Sequence, residues 1–263
     1  DEYHCALSKG ASVSSIAALK SSLDGVGLEV SCLTPYMTGI DSTDSAIRGR
    51  DLEDFYRCID TAERLDARCI RVYGGAYNPE QDRNIREELE KHLVDSLLKL
   101  GEHAAGTGVK LAVETHFNTL TCSAAETSAL IRRVNHPRVG VLYDQPNLEF
   151  SEGEPYHEAL ALLKGMILMV HVKDLVYKPG AAKHFTSSQT ITVDESERRI
   201  ISKIPGEGII EWPRILRSLR KQGFDGWLSL EYERRWYPHN LPPAEEGMKR
   251  GLIYMRSLLA SLQ

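Results

Sequence analysis

Short apolar runs alternate with longer amphipathic stretches from one end of this chain to the other. The strand-like runs are 28–33 (LEVSCL), 68–73 (RCIRVY), 109–115 (VKLAVET), 139–143 (VGVLY), 167–172 (ILMVHV) and 227–232 (WLSLEY). The helix-like stretches lie near 12–23, 48–65, 80–106, 124–134, 156–164, 211–221 and 244–261. In 80–106, Leu89, Leu93, Leu97 and Leu100 recur at helical spacing, and Glu87 stands four residues before Lys91. Pro79 suits the start of that helix, and Gly106 and Gly108 suit its stop. A strand that must be followed by a helix before the next strand can pair only in parallel, so the alternation predicts a parallel α/β sheet, open or closed.

The element count, six strands and seven helices, leaves two arrangements. One is a six-stranded open sheet, complete as it stands. The other is a (β/α)8 barrel, a fold that takes about 250 residues, and the chain has 263. On the barrel reading the chain is N-terminally incomplete, lacking the first strand, the first helix and most of the second strand. Its opening, Asp1-Glu2-Tyr3-His4 without a Met, agrees with that. Either way, residues 1–263 are expected to form a single domain. One interruption stands out: the runs TITV and RRIISKI around the polar turn DESE predict a β-hairpin inserted near 184–203. Such a loop would border the C-terminal strand ends, as a lid or as a solvated excursion.

Composition narrows the class. With 42% hydrophobic and 26% charged residues, the chain reads as an ordinary globular protein. The formal net charge is -5 and no block of five Lys or Arg occurs, so neither a nucleic acid nor a membrane surface is an expected partner. No apolar run approaches the roughly 18 residues of a membrane helix. The five cysteines, Cys5, Cys32, Cys58, Cys69 and Cys122, form no CxxC pair. An odd, unpaired set argues for a reducing, cytoplasmic setting, with Cys32 and Cys69 acting as small apolar side chains in strands.

Four of the strand-like runs end on, or carry near their end, a metal-ligating residue type: Glu114, Asp144, His171 and Glu231. Side chains alternate faces along a strand. Glu114 shares a face with Ala112, Asp144 with Leu142 and Gly140, His171 with Met169 and Lys173, and Glu231 with Ser229 and Glu233. The opposite faces are larger and apolar: Leu111 and Val113; Val139, Val141 and Tyr143; Leu168, Val170 and Val172; Leu228, Leu230 and Tyr232. In a barrel the apolar set packs on helices, and the four candidates converge on the axis. A lone carboxylate at a strand end is more often a cap or a surface charge, and Asp144 before Gln145-Pro146-Asn147 could make an Asx turn. A lone His171 would more often be a hydrogen-bonded core residue. Jointly, with matching parity, they favour a divalent-metal site. Three carboxylates and one imidazole suit Mn2+, Mg2+ or Co2+ better than a structural zinc. Such an ion can hold a hydroxy-ketone through two oxygens and stabilise the enediolate left when an α-proton departs. Glu114 and Glu231 are then the candidates for exchanging that proton.

The motifs VETH (113–116), LYDQPN (142–147), HVKD (171–174), GEG (206–208) and SLEYE (229–233) resemble the xylose isomerase-like TIM-barrel superfamily, and within it the sugar phosphate isomerase/epimerase group. The resemblance covers about residues 28–261 in the family's order. It implies a (β/α)8 TIM barrel and one divalent metal ion, Mn2+ first, with Mg2+, Co2+ or Zn2+ as alternatives. It places that ion on Glu114, Asp144, His171 and Glu231, and makes Glu114 and Glu231 the acid/base pair. It also implies a small sugar, sugar phosphate or polyol-derived substrate, and leaves a homo-oligomer open. His116, Asn147, Lys173, Glu233 and Arg234 are carried over as substrate contacts, while the parity of Asp174 marks it as structural. Three positions depart from the ketose 3-epimerase pattern: Asn147 where a His is usual, Leu120 for a substrate-binding Glu, and Tyr177 for an Arg.

Three rivals remain. An inosose- or dehydroshikimate-type dehydratase shares the barrel and begins with the same proton abstraction. An endonuclease IV-like enzyme needs further histidines for three zincs, and LTPYMTG, VYGGAYNP, DQPN and ISKIPGEG supply none. A non-catalytic barrel would have no need of the ligand set.

Overall fold

The computed structural model describes residues 10–77, 83–180 and 199–262. In chain order it contains α1 (Val13–Asp24), β1 (Cys32–Leu33), α2 (Ser45–Arg64), β2 (Cys69–Val72), α3 (Arg83–Ala104) and β3 (Lys110–Glu114). These are followed by α4 (Ala124–Val134), β4 (Val139–Tyr143), α5 (Gln145–Glu152), α6 (Tyr156–Leu162) and β5 (Ile167–Val172). Then come β6 (Asp174–Tyr177), β7 (Ile200–Lys203), α7 (Trp212–Lys221), β8 (Trp227–Leu230), a 3-10 turn (Glu233–Arg235) and α8 (Ala244–Ser261).

Local chemistry sets several boundaries. Ser12, Asp44 and Ser123 cap α1, α2 and α4 by accepting from backbone N–H groups in the first turn. Helix α4 stops at Asn135, whose φ of 43° is left-handed and suits a short amide side chain.

Six strands form one parallel, curled sheet in the order β1-β2-β3-β4-β5-β8. Every pairing is parallel. The two faces are unlike. On the helix-covered face, Ile70, Val72, Leu111, Val113, Val141, Tyr143 and Val170 are fully buried against helix residues such as Phe55, Leu93, Leu97 and Trp212. On the other face Cys69, Ala112, Leu142 and Met169 form a separate small cluster, joined by Cys32 and Leu168. Parity sorted these side chains correctly with one exception. The register slips between Val141 and Leu142, so that Leu142 pairs with Met169 while Val141 pairs with Ile167. The extra residue, Leu168, turns into the small cluster instead of toward the helices. Gly140 makes room for it: a Cβ there would stand 2.6 Å from Met166 O and 2.7 Å from Leu168 Cγ.

Two other expectations need correction. The run 28–33 yields only a two-residue strand, β1, which lies at the sheet edge and among the described residues pairs with β2. The stretch after Asp144 is a helix, α5, not merely a turn: Asp144 caps it, and Pro146 supplies the fixed φ its first turn needs. A small antiparallel pair is present where a hairpin was expected: Ile200–Lys203 pairs with Asp174–Tyr177, and the TITV run lies outside the described residues.

Asp174 fixes this antiparallel pair to the barrel-type sheet. Its Oδ1 accepts from the N–H groups of Leu175 (2.9 Å) and Ile210 (3.1 Å), and its Oδ2 from those of Gly206 (2.9 Å) and Gly208 (3.2 Å). The HVKD and GEG motifs therefore meet through one carboxylate. A Cβ at Gly208 would fall 2.1 Å from Asp174 Oδ1, so only glycine permits that approach.

Candidate metal centre

The C-terminal ends of β3, β4, β5 and β8 bring Glu114, Asp144, His171 and Glu231 together. One donor atom from each lies within 4.8 Å of the others. Glu114 is the last residue of β3, and its neighbour Thr115 donates its N–H to Leu142 O at 3.0 Å, which ties the ends of β3 and β4. Asp144 follows β4. Its own N–H donates to Thr115 Oγ1 at 2.9 Å, and its Oδ1 accepts from Asn147 N at 2.9 Å. Oδ1 is thus used as a helix cap, which leaves Oδ2 for the centre. Glu231 extends β8: its N–H donates to Val172 O at 3.1 Å, beside His171.

His171 Nδ1 sits among the carboxylates, 3.1 Å from Glu114 Oε1, 3.4 Å from Glu231 Oε2 and 3.6 Å from Asp144 Oδ2. Lys173 Nζ joins them, 2.7 Å from Glu231 Oε2, 3.0 Å from Asp144 Oδ2 and 3.3 Å from Glu233 Oε1. Glu114, Asp144 and His171 are buried, whereas the Glu231 side chain is 29% exposed. Burial opposes the charged forms of Glu114, His171, Lys173, Glu231 and Glu233, and mutual attraction overrides it in all of them but one. It would lower His171, but the Glu231 charge and the contacts with Asp144 and Glu114 hold the imidazole well above its usual range. It would lower Lys173 too, yet Asp144, Glu231 and Glu233 raise it well above its usual value. Burial would raise Glu114 and Glu231; His171 pulls Glu114 down, and Lys173 with His171 pulls Glu231 well down. Glu233 is the exception: burial pushes it up to about 7, with Lys173 opposing and Glu231 and Asp144 adding to the rise.

Of the expected substrate contacts, Lys173 meets the cluster directly, and Glu233 reaches it through Lys173. The His116 ring stacks on Phe117 at 4.2 Å and meets Tyr73 edge-on at 5.3 Å, with Nδ1 2.7 Å from Phe117 O. Asn147 is buried and donates from Nδ2 to Thr115 O at 3.1 Å, so it braces the β3 and β4 ends. Arg234 is exposed on the 3-10 turn. The departing positions have structural partners: Leu120 is core, and the Tyr177 hydroxyl donates to Glu149.

Arg71 was not anticipated. It is buried, its Nη1 lies 3.6 Å from Glu114 Oε2, and its guanidinium sits 4.8 Å and 4.6 Å from the ring centres of Tyr36 and Tyr73. The available signal was parity: Arg71 pairs in register with Ala112, on the face that carries Glu114.

The donor chemistry fits a divalent cation. Glu114 Oε2 and Asp144 Oδ2 are buried oxygens that receive no hydrogen bond; each faces a side-chain cation, Arg71 Nη1 at 3.6 Å and Lys173 Nζ at 3.0 Å, and carboxylate oxygens so placed suit a divalent ion as well.

A curled parallel sheet with helices on one face, and a carboxylate–imidazole cluster at its C-terminal strand ends, defines the barrel class of α/β proteins whose chemistry sits at that rim. A family model described as xylose isomerase-like TIM barrel matches residues 4–258, and the chain belongs to that family. It is 32% identical over 138 residues to the rhizopine catabolism protein MocC of Rhizobium meliloti, 52% of this chain and 41% of that one. Its likeness to an inosose dehydratase of Erwinia tasmaniensis is 25% over 246 residues, 89% of this chain and 78% of that one. With the L-ribulose-5-phosphate 3-epimerase UlaE of Shigella boydii it is 26% over 227 residues, 86% and 70%. The chain spans about half the length of the first curated relatives it matches. Among solved structures, the IOLI protein with a bound zinc atom shares the fold with a TM-score of 0.75 at 19% identity, over 94% of this chain and 82% of that one. No helix among the described residues is long and apolar enough to cross a membrane.

Proposed function

We propose that this chain is a divalent-metal-dependent enzyme that moves a proton at the carbon beside a carbonyl, in a small sugar or polyol-derived substrate, with an isomerase or epimerase outcome. The observation that carries the reading is the convergence of Glu114, Asp144, His171 and Glu231 within 4.8 Å, two of them offering buried oxygens without a hydrogen bond. These four would hold one ion, Mn2+ first, with Mg2+, Co2+ or Zn2+ as alternatives. When bound, the ion supplies Lewis-acid polarisation of the substrate carbonyl.

The two glutamates share the proton work unequally. Glu231, partly exposed, is the group that takes the proton first. For an epimer, Glu114, buried and braced by Arg71, would have to carry a second proton and deliver it to the opposite face of the carbon, after which both carboxylates exchange protons with solvent to reset; for an isomer, Glu231 returns the proton it took. Lys173 and Glu233 lie beside Glu231 and bind substrate hydroxyls, with His116 and Arg234 as outer contacts. Asn147 acts by fixing Asp144.

A dehydratase is the second reading, favoured by the inosose dehydratases among the relatives. Both reactions start from the same proton removal, so one experiment examines both. The protein loaded with Mn2+ is incubated with ketoses, ketose phosphates and inososes in D2O. Deuterium at the carbon beside the carbonyl supports proton transfer, and the product separates an isomer from a dehydrated ketone. No exchange on any substrate refutes the proposal, and retained exchange in Glu231→Gln removes that residue from its role. Three zincs per chain by metal analysis would restore the nuclease.

A further inference from the structure

Lys173 occupies an unusual place for a substrate contact. Its ammonium lies on Asp144 Oδ2 (3.0 Å) and Glu231 Oε2 (2.7 Å), and both carboxylates belong to the four-residue cluster. His171 Nδ1 faces the same two oxygens, at 3.6 Å and 3.4 Å, so Lys173 and a metal-ligand candidate share their oxygen partners. Of the two oxygens of Asp144, Oδ1 is engaged by Asn147 N, which leaves Oδ2 as the one both cations must use. A divalent ion on these oxygens and an ammonium on the same atoms repel at close range in a buried setting. A third carboxylate, Glu233, lies 3.3 Å from Lys173 Nζ and stands outside the four-residue cluster.

Resting on the metal-site reading above, we infer that Lys173 is an internal counter-cation that competes with the divalent ion for Asp144 Oδ2 and Glu231 Oε2. Glu233 is the carboxylate on which the ammonium settles when the ion is bound. The side chain is thereby a positioning residue. Ion binding moves its charge from the ligand oxygens to the Glu233 side, where it faces substrate, so the site binds metal before it binds substrate.

Removing the ammonium lifts both the competition and the repulsion, so the sign of the effect is fixed. The protein is stripped with a chelator, and Mn2+ and Mg2+ affinities are measured by isothermal titration calorimetry for wild type, Lys173→Met and Lys173→Arg. Lys173→Met should bind Mn2+ about tenfold more tightly or better, while Lys173→Arg, which keeps the charge, should not gain. Unchanged or weaker binding by a folded Lys173→Met overturns the inference. A second measurement covers the case in which that variant fails to fold. In wild-type protein carrying 13Cε-labelled lysine, the Lys173 signal, assigned by its loss in Lys173→Arg, should move on addition of Mg2+. A signal that stays in place while Mg2+ binds overturns the proposal as well. If wild type binds no divalent ion at all, the metal-site reading fails first, and the two failures are distinguishable.

Discussion

Replacing Asp174 by Ala tests the idea that one carboxylate fastens the antiparallel pair to the sheet. Four backbone N–H groups lose their acceptor: those of Leu175, Ile210, Gly206 and Gly208. The first two bonds are buried and the glycine bonds only partly so, which lets water replace Asp174 at Gly206 and Gly208. Leaving a buried donor unpaired costs roughly 1–3 kcal/mol, so two of them come to about 4 kcal/mol. That is a large part of a typical total stability of about 5–15 kcal/mol, and corresponds to a fall of roughly 10 °C in melting temperature. Urea unfolding followed by tryptophan fluorescence measures it, since the buried Trp212 donates from Nε1 to Lys173 O next to the site of change. Asp174→Asn should recover only part of the loss, because its amide nitrogen meets N–H groups that need an acceptor. A loss below about 1 kcal/mol in the Ala variant, or full stability in the Asn variant, would refute the reasoning.

Other consequences can be checked independently. Gly140→Ala should lower stability by about 1–3 kcal/mol, since its Cβ would overlap Met166 O and Leu168 in the bulge; an unchanged urea midpoint would count against the close approach. His171 is held protonated above its ordinary value of 6.5, so binding a divalent ion at pH 7.5 should release about one proton. Calorimetry in buffers of different ionisation heat reads that number, and zero release would remove His171 from the ligand set. The chelator-stripped protein should be most stable at pH values between 4.5 and 6.5. The stabilising charge on His171 is fully present below 6.5 and lost as pH rises through its raised folded value. Stabilisation by Glu114 and Glu231 is present above 4.5 and lost as pH falls through their lowered folded values. A denaturation midpoint that instead rises steadily from pH 6 to 9 would show that the imidazolium is absent. Arg71→Met should destabilise the fold by about 3 kcal/mol or more, because it leaves the Glu114 charge buried with one partner fewer; equal thermal stability would show that the 3.6 Å pair is idle.

Much of this arrangement could be read from the residues, and the parts that could not share a cause. Strand parity depends only on the chain's own alternation. It therefore placed Ala112, Leu142 and Met169 on one face, with the metal-ligand candidates beyond them, and Val113, Tyr143 and Val170 on the other. It failed at Leu168, where the slip at Val141 and Leu142 belongs to the pairing of two strands and leaves no mark in either alone. Arg71 shows a different limit. A lone Arg within CIRV reads as a tolerated interruption of an apolar run, and only the register that sets it beside Ala112 gives it a carboxylate to meet. Helix α5 was hidden because Asp144-Gln145-Pro146-Asn147 satisfies a turn and a capped helix start equally well.

The two faces of the sheet divide stability from chemistry. The helix side is a continuous apolar cluster, and its strand side chains recur at every second position except at the slip between Val141 and Leu142. The other face is thin in apolar contact: four buried side chains, two partly buried ones, and above them a layer in which Arg71, Glu114, Asp144, His171 and Lys173 are all buried. A fold selected for packing alone would fill that layer with aliphatic groups, since replacing buried ion pairs by apolar residues is often neutral or stabilising. Here His171 and Lys173 are each shared among carboxylates instead, and Arg71 stands against Glu114. His171 is within 3.6 Å of three of them, and Lys173 is within 3.3 Å of three, yet two carboxylate oxygens still receive no hydrogen bond. A set of carboxylates that its own cations do not fully satisfy remains open to a further positive charge. That incompleteness, more than the residue types taken singly, marks the strand ends as a place built to receive a ligand.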